Sequence, residues 1–267
     1  MQNKQPLSYV HEDAIIGENV TIGPFTTIYE NVEIGDGTWI GPNVSIMSGA
    51  RIGKNCQIHS GAVIAGIPQD QKFAGEDTLA IVGDNTVVRE CVTINRGTID
   101  KEKTVVGKNC LLMAYVHVAH DCIIGDNVIL ANAVQLGGHV EIGYHAVIGG
   151  ASAAHQFVRV GQHAMISGGS KILKDVPPFV TAAREPMSYD GVNSRGLRRR
   201  EFTNEQINII QNIYRIIFQK GLNNSQAIAE IENSEIEGQE CKKILEFVKL
   251  SVTSGRGLIR GHRSSKN

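Results

Sequence analysis

The chain has 267 residues, 20% of them charged and 5% aromatic, with a formal net charge of −1 at pH 7. A chain of this length makes one or two domains, and a charge this close to zero provides no global field for nucleic acid or an anionic surface. Residues 1–10 hold no apolar run and no stretch approaches the length of a membrane span, so no membrane span and a cytoplasmic location are expected.

From Val10 a large aliphatic residue recurs at every sixth position: Val10, Ile16, Ile22 and Ile28 onward to Ile64, then Val82, Val88 and Ile94, then Val106 to Ile172. Four residues after each lies a second column, almost all small or β-branched, including Ala14, Val20, Thr26, Cys110 and Cys122. A period of six fits neither an α-helix nor a lone amphipathic strand. It fits a coil of three short faces, eighteen residues per turn, whose stacked turns bury one continuous apolar prism. The expected fold is therefore mainly β, a parallel β-helix over residues 1–180. Gly follows many of the large aliphatics, as at Gly35 and Gly107, and Asn or Asp often comes next, which suits tight corners.

Asp70, Glu76 and Asp100 break the aliphatic column, and the frame resumes unshifted after each. The segments 66–80 and 99–105 are thus insertions. Loops leaving a rigid scaffold often carry binding groups, although a simple coil-capping excursion fits as well. The prolines of Asp175-Val-Pro-Pro-Phe179 stop ladder pairing. A linker is expected over 181–202 and a helical domain over 203–267. In that domain Thr203 and Gln206 form a capping box, and Ile207, Ile210, Tyr214, Ile217 and Phe218 make one apolar stripe. Further helices are expected near 225–232 and 239–252. Residues 190–267 are modestly basic, with Arg198, Arg199 and Arg200 as the sharpest cluster.

Five cysteines without a Cys-x-x-Cys pair fit a reducing compartment. Cys56, Cys110 and Cys122 fall in the inward column, where a free thiol packs as a small apolar group. The histidines gather more suggestively. His117, His120 and Asp121 form a knot, His139 lies eighteen residues after Asp121 and so stacks one coil above it, and His155 lies near the same edge. A neutral imidazole beside a carboxylate can act as general base, and three imidazoles could bind Zn²⁺. Solvated decoration, catalysis and metal binding all stay open on spacing alone. His145 and His163 also stack at eighteen and read as corner residues. A β-helix face is flat, so a pocket would need a second chain of a symmetric trimer.

Several motifs occur together and in order: Pro68-Gln-Asp-Gln-Lys-Phe73, Arg89-Glu-Cys-Val-Thr-Ile-Asn-Arg-Gly-Thr98, His117-Val-Ala-His-Asp-Cys122, Leu136-Gly-Gly-His-Val140, Ala154-His-Gln-Phe157, the Pro-Pro stop, and Gly191-Val-Asn-Ser-Arg-Gly-Leu-Arg-Arg-Arg200. On these the chain resembles the UDP-N-acetylglucosamine O-acyltransferases over nearly its whole length. The resemblance implies a left-handed β-helix, a handedness the pattern does not give, since parallel crossovers are normally right-handed. It also implies a homotrimer that moves an (R)-3-hydroxyacyl group from acyl carrier protein to the 3-hydroxyl of UDP-N-acetylglucosamine, beginning lipid A synthesis.

Carried over by motif, His120 is the general base, Asp121 assists it, and the Gly138 N–H stabilises the oxyanion. His117, His139, His155 and Gln156 line the sugar and pantetheine path. Asp70 and Lys72 lie near the sugar nucleotide, Asn193 and Arg199 hold uridine and phosphates, and Gly168 acts as the acyl-chain ruler. The resemblance implies no cofactor and no metal. The basic tail, including Lys242, Lys243, Lys249, Arg256 and Arg260, offers a docking face for the acidic carrier protein. Two positions depart from the family pattern: Asn95 stands where several relatives carry His, and Arg195 where some carry Glu. Competing readings are acylation of a 3-amino sugar, the related N-acyltransferases, a zinc carbonic anhydrase of the γ type, and a non-catalytic scaffold.

Overall fold

Each hexad contributes one short strand, most of two residues, and three strands close a coil. The computed structural model describes residues 3–4, 7–234, 236–253 and 255–261. Strands one coil apart pair in parallel, as Thr27 does with Ser45 and Ile129 with Val147. They form the three parallel sheets of a left-handed β-helix. We name them sheet A (Thr21–Ile22, Trp39–Ile40 and onward), sheet B (Tyr9–Val10, Thr27–Ile28 and onward) and sheet C (Ile15–Ile16, Glu33–Ile34 and onward). The chain passes A, B, C and back to A in every turn.

Both sequence columns point inward. Ile28, Ile40, Ile46, Ile58, Leu112 and Leu130 are wholly buried, and each such side chain contributes about 1.5–3 kcal/mol. Polar members of the small column are satisfied within the ladder. The Thr26 hydroxyl donates to the Gly41 carbonyl at 2.7 Å and accepts from the Val44 N–H at 3.1 Å. The Cys56, Cys110 and Cys122 thiols each meet a glycine carbonyl at 3.2 Å. Burial pushes Cys110 up to about 11 and Cys122 to about 12, so neither is a nucleophile near neutral pH.

The three corners are not alike. Between sheets C and A the left-handed backbone position is held by Asn19, Gly37, Asn55, Asn85, Asn109 and Asn127, with φ between 54° and 70°. The glycine that precedes this position is required by contact between coils. A Cβ on Gly35 would stand 2.6 Å from the carbonyl carbon of Gly53. In the upper coils His145 and His163 take the asparagine position.

The segment expected as a linker over 181–202 is structured. Val180–Ala183 extends sheet A in parallel, and Ser188–Val192 returns antiparallel to it. A short helix α1, Ser194–Arg198, follows, capped by the Asn193 side chain. Helix α2 spans Asn204–Gln219, α3 Asn224–Glu232 and α4 Gln239–Thr253. Both halves of the Thr203–Gln206 capping box form, at 3.2 and 2.9 Å. Tyr214 of α2, fully buried, donates to the Pro178 carbonyl and so ties the helices to the top of the prism. Helix α4 lies beside sheet C, where Lys243 reaches the Tyr144 hydroxyl at 2.8 Å and Arg159 sits over the Phe247 ring. Among the described residues no helix is long and apolar enough to cross a membrane.

Leu130 fills the prism axis while Ile15 is 65% exposed. Leu130→Ala should therefore cost about 2–5 kcal/mol of stability, and Ile15→Ala under about 1 kcal/mol. Urea unfolding midpoints check this; equal losses at the two sites would contradict a core confined to the inward columns.

Candidate active site

Both insertions leave the prism at one corner, the passage from sheet B to sheet C. The first runs between Val63–Gly66 and Leu79–Val82, the second between Thr93–Asn95 and Lys103–Val106. Across the first, paired residues stand 30 apart, and across the second 24 apart, against the usual 18. The additions are whole hexads, so each coil resumes in frame. Directly above them at the same corner come His120 and Asp121, then Gly138 and His139, then Phe157.

Asp121 is the centre of this corner, fully buried, with φ of 60°. Its Oδ1 accepts the Thr98 backbone N–H at 2.9 Å, and its Oδ2 accepts the Thr98 hydroxyl at 2.7 Å. The same Oδ2 lies 2.8 Å from His120 Nδ1 and 3.6 Å from His139 Nε2. Burial alone would raise the Asp121 carboxyl. The hydrogen bonds from His120 and Thr98 outweigh it and hold the group below the ordinary carboxylate range. An ionised carboxylate only accepts, so His120 Nδ1 must carry a proton, and in the neutral imidazole Nε2 then has the lone pair. That free nitrogen points toward Asp70 of the first insertion, whose Oδ2 is 4.0 Å away.

Gly138 closes the other side of His120. A Cβ there would lie 2.5 Å from His120 Cε1, so only glycine fits against the imidazole face. Among the described residues the Gly138 N–H has no hydrogen-bond acceptor. His139 stacks on Phe157 with ring centres 4.5 Å apart, and its Nδ1 stands 3.3 Å from Asp100 of the second insertion. Burial holds His139 below the usual imidazole range, against the pull of Asp121.

The structure thus brings His120, Asp121, Gly138, His139 and Asp70 together. His117 sits three residues before His120 on sheet B, with Nδ1 2.7 Å from the Thr93 hydroxyl. Burial, then the neighbouring His120, lowers its pKa. His155 lies near the same edge, just after the sheet B strand Ala153–Ala154. The residue that stacks on His139 is Phe157, and His155 is exposed, its Nδ1 3.1 Å from the Gln156 carbonyl. Gln156 and Lys72 are exposed, and the Lys72 N–H donates to Asp70 Oδ1 at 2.9 Å.

Three expected site residues lie on other edges. The Asn193 side chain caps α1 through Gly196 N–H and donates to the His163 carbonyl at 2.9 Å, which places it at the corner between sheets C and A. Arg199, exposed, ends the same helix. Gly168 is exposed at the third corner, between sheets A and B. Sequence reasoning missed Thr98 as a functional neighbour. The 24-residue spacing of the second insertion would have placed it beside Asp121.

His120, Asp121 and His139 offer ligand atoms within 4.8 Å of one another. Asp121 Oδ2 already accepts two protons, however, so a metal would have to displace both the Thr98 hydroxyl and the His120 N–H. The donor set is arranged to hold the carboxylate against one histidine nitrogen. A cavity of about 600 Å³ opens beside His139 and Phe157, with Lys101, Arg159 and Arg256 on its wall.

Known proteins resemble this chain over nearly its whole length. The profile of a family described as UDP N-acetylglucosamine O-acyltransferase, domain 2, matches residues 175–259, and that of bacterial transferase hexapeptide repeats matches 31–66 and 103–138. An acyl-acyl-carrier-protein–UDP-N-acetylglucosamine O-acyltransferase of Chlorobium phaeobacteroides is 62% identical over 97% of this chain and 100% of its own length. A protein of the same name from Chlorobaculum parvum is 57% identical over 99% and 100%. Among solved structures, the UDP-N-acetylglucosamine acyltransferase of Bacteroides fragilis superposes with a TM-score of 0.93 at 49% identity, covering 96% of this chain and 100% of that one.

His163, at the corner of Asn193, carries a prediction of its own. Burial, then His145, Arg200 and Lys243, press its pKa to about 3. The unfolded chain therefore binds a proton that the folded one refuses, and stability falls as pH drops from about 6.5 toward 3. Between pH 7 and pH 5 this one group should remove about 2 kcal/mol. His163→Phe keeps the stacking on Phe179, seen at 5.6 Å, and removes the titration. Melting temperatures across this range should fall less for the variant; parallel curves would count against it.

Proposed function

The chain belongs to the UDP-N-acetylglucosamine O-acyltransferase family, and we propose that it transfers an (R)-3-hydroxyacyl group from acyl carrier protein to the 3-hydroxyl of UDP-N-acetylglucosamine, the first step of lipid A biosynthesis, with His120 as general base. The observation that carries the mechanism is the buried, ionised Asp121 bonded to His120 Nδ1, which leaves Nε2 free to accept a proton.

The sugar hydroxyl oxygen attacks the thioester carbonyl as its proton passes to His120 Nε2. The imidazolium so formed is stabilised by Asp121 through Nδ1. Charge developing on the carbonyl oxygen meets the unpartnered Gly138 N–H, a donor fixed before reaction. The C–S bond then breaks, and the departing thiolate recovers the proton from Nε2. Ester and free carrier thiol result, with no acyl-enzyme, which accords with thiols held protonated in the core. Asp70 and Lys72 from the first insertion orient the sugar. His117, His139, His155 and Gln156 line the path of sugar and pantetheine.

The placement of these residues supports a homotrimer. His120 lies on the B–C edge, Asn193 and Arg199 near the C–A edge, and Gly168 on the A–B edge. One chain cannot present all three to one substrate. A threefold arrangement with sheet B of one protomer against sheet A of the next would do so, and would turn each A–B edge toward the axis. Sheet A has an outward row for such contact, the half-buried Val87, Leu111, Ile129, Val147 and Met165. The A–B edge carries the exposed Leu7, Phe25 and Tyr115. Sheet C, with Glu33, Arg51, Glu141 and Arg159 outward, then faces solvent beside α4. Asn193 and Arg199 of one protomer would hold uridine and phosphates for the His120 of its neighbour; a guanidinium suits phosphate. The basic helical tail would dock the acidic carrier protein, and the reaction would run in the cytoplasm without cofactor or metal.

Three variants test this. His120→Ala should abolish transfer from (R)-3-hydroxyacyl carrier proteins while the protein stays trimeric. Gly138→Ala should lose most activity by displacing the ring. Gly168→Met should shift preference to shorter acyl donors. A fully active His120→Ala would refute the base, unchanged chain selectivity the ruler, and transfer only to a 3-amino sugar the acceptor.

A further inference from the structure

The torsion that orients an aspartate carboxylate is soft, because rotation about a bond to an sp² carbon has broad wells. The direction in which Asp121 offers Oδ2 to His120 must therefore come from donors around it. Among the described residues Thr98 is the hydrogen-bond donor to Oδ1, and it is the second donor, beside His120, to Oδ2. We propose that Thr98 is a positioning residue for the transfer reaction: its N–H and hydroxyl clamp both oxygens of Asp121 and so hold His120 with Nδ1 donating and Nε2 facing the acceptor hydroxyl. This rests on His120 being the base.

The clamp is itself directed. The Asp100 N–H donates to the Thr98 oxygen at 3.3 Å, occupying a lone pair and turning the hydroxyl proton toward Asp121. The Thr98 carbonyl accepts the Glu102 N–H at 2.8 Å, which closes the second insertion as a tight turn. Gly97 holds the base of that turn, where a Cβ would stand 2.2 Å from the Lys103 nitrogen. The Arg96 guanidinium lies over the ring of Phe73, 5.3 Å from its centre, joining this insertion to the one that bears Asp70. From the other side the Thr104 hydroxyl accepts the Asp121 N–H at 2.8 Å. A six-residue insertion thus supplies a dry, prearranged hydrogen-bond chain, and successive donors along such a chain strengthen one another.

The groups facing the dyad are His117, His139 and Lys101, with Asp70 toward His120, Asp100 toward His139, and the buried Cys122 thiol next in the chain. None supplies a hydrogen bond to replace the one from the Thr98 hydroxyl.

Thr98→Val keeps the backbone donor and the shape but removes the hydroxyl, and Thr98→Ser restores it. On the intact enzyme, acyl transfer is followed from pH 5.5 to 9 with His120→Ala alongside. Thr98→Val should lower kcat about 10- to 100-fold, the loss expected for one hydrogen bond to a buried charge. KM for the sugar nucleotide should stay nearly constant. With one donor fewer, the carboxylate binds protons more readily, so the acid limb of the rate profile should move to higher pH, the dyad titrating as a unit. Thr98→Ser should recover most of the rate and the original limb. Wild-type rate and limb in Thr98→Val, with His120→Ala inactive, would overturn the role of Thr98 alone. Equal losses in both Thr98 variants, with lowered melting temperatures and an unmoved limb, would reduce it to a structural part of the loop. An active His120→Ala would instead remove the reading on which the proposal stands.

Discussion

A parallel β-helix ties each coil to the next through backbone hydrogen bonds at a strand spacing of about 4.8 Å. This register leaves a side chain no choice of neighbour: whatever occupies one azimuth lies over the residue one coil below. The candidate site is a direct product of that rule. His139 is held over Asp121, and Phe157 is held over His139 with nearly parallel rings, 13° apart. Each contact needs no loop ordering and little side-chain reorganisation, so this part of the candidate site is set by the backbone register.

The same rule explains why chemistry is concentrated on an edge. The faces are flat and their outward residues meet only partners in line along the coil axis, whereas at a corner the turn and the insertions bring further polar groups within hydrogen-bond range. The two insertions add depth where the prism has none. They leave from the coils immediately below His120, and each returns a carboxylate to the histidines, Asp70 to His120 and Asp100 to His139. A buried anion is costly unless fully bonded. Asp121 is tolerable in this position only because Thr98 and His120 satisfy it.

Much of this could be read from the residues. The six-residue period located the core, and spacing by eighteen placed His139 over Asp121 and His145 beside His163. The capping box at Thr203 and the apolar stripe after it were equally plain, and two further helices were expected close to where α3 and α4 lie. What escaped reading depended on contacts that periodicity does not encode. Thr98 was hidden because the second insertion changes the stacking interval, and Phe157 because an aromatic side chain at a corner carries no signal of its partner. The strands between 180 and 192 lack the repeat altogether; they form by pairing on an edge already built. Gly138 shows no reason for its identity until the His120 ring is seen against it.

The corners have a further consequence. Among the described residues, just over half of the left-handed positions belong to asparagine or glycine, the residues that adopt such backbone most readily. Asp121, His139, Phe157, His145 and His163 occupy the equivalent positions with φ between 56° and 65°, and of these Phe157 is the side chain that such backbone suits least. A designer seeking a tougher scaffold would replace these residues first, guided by the repeat itself. On the B–C edge such a replacement would remove Asp121, His139 and Phe157 together, so an idealised version of this helix would be sturdier and would lose the candidate site.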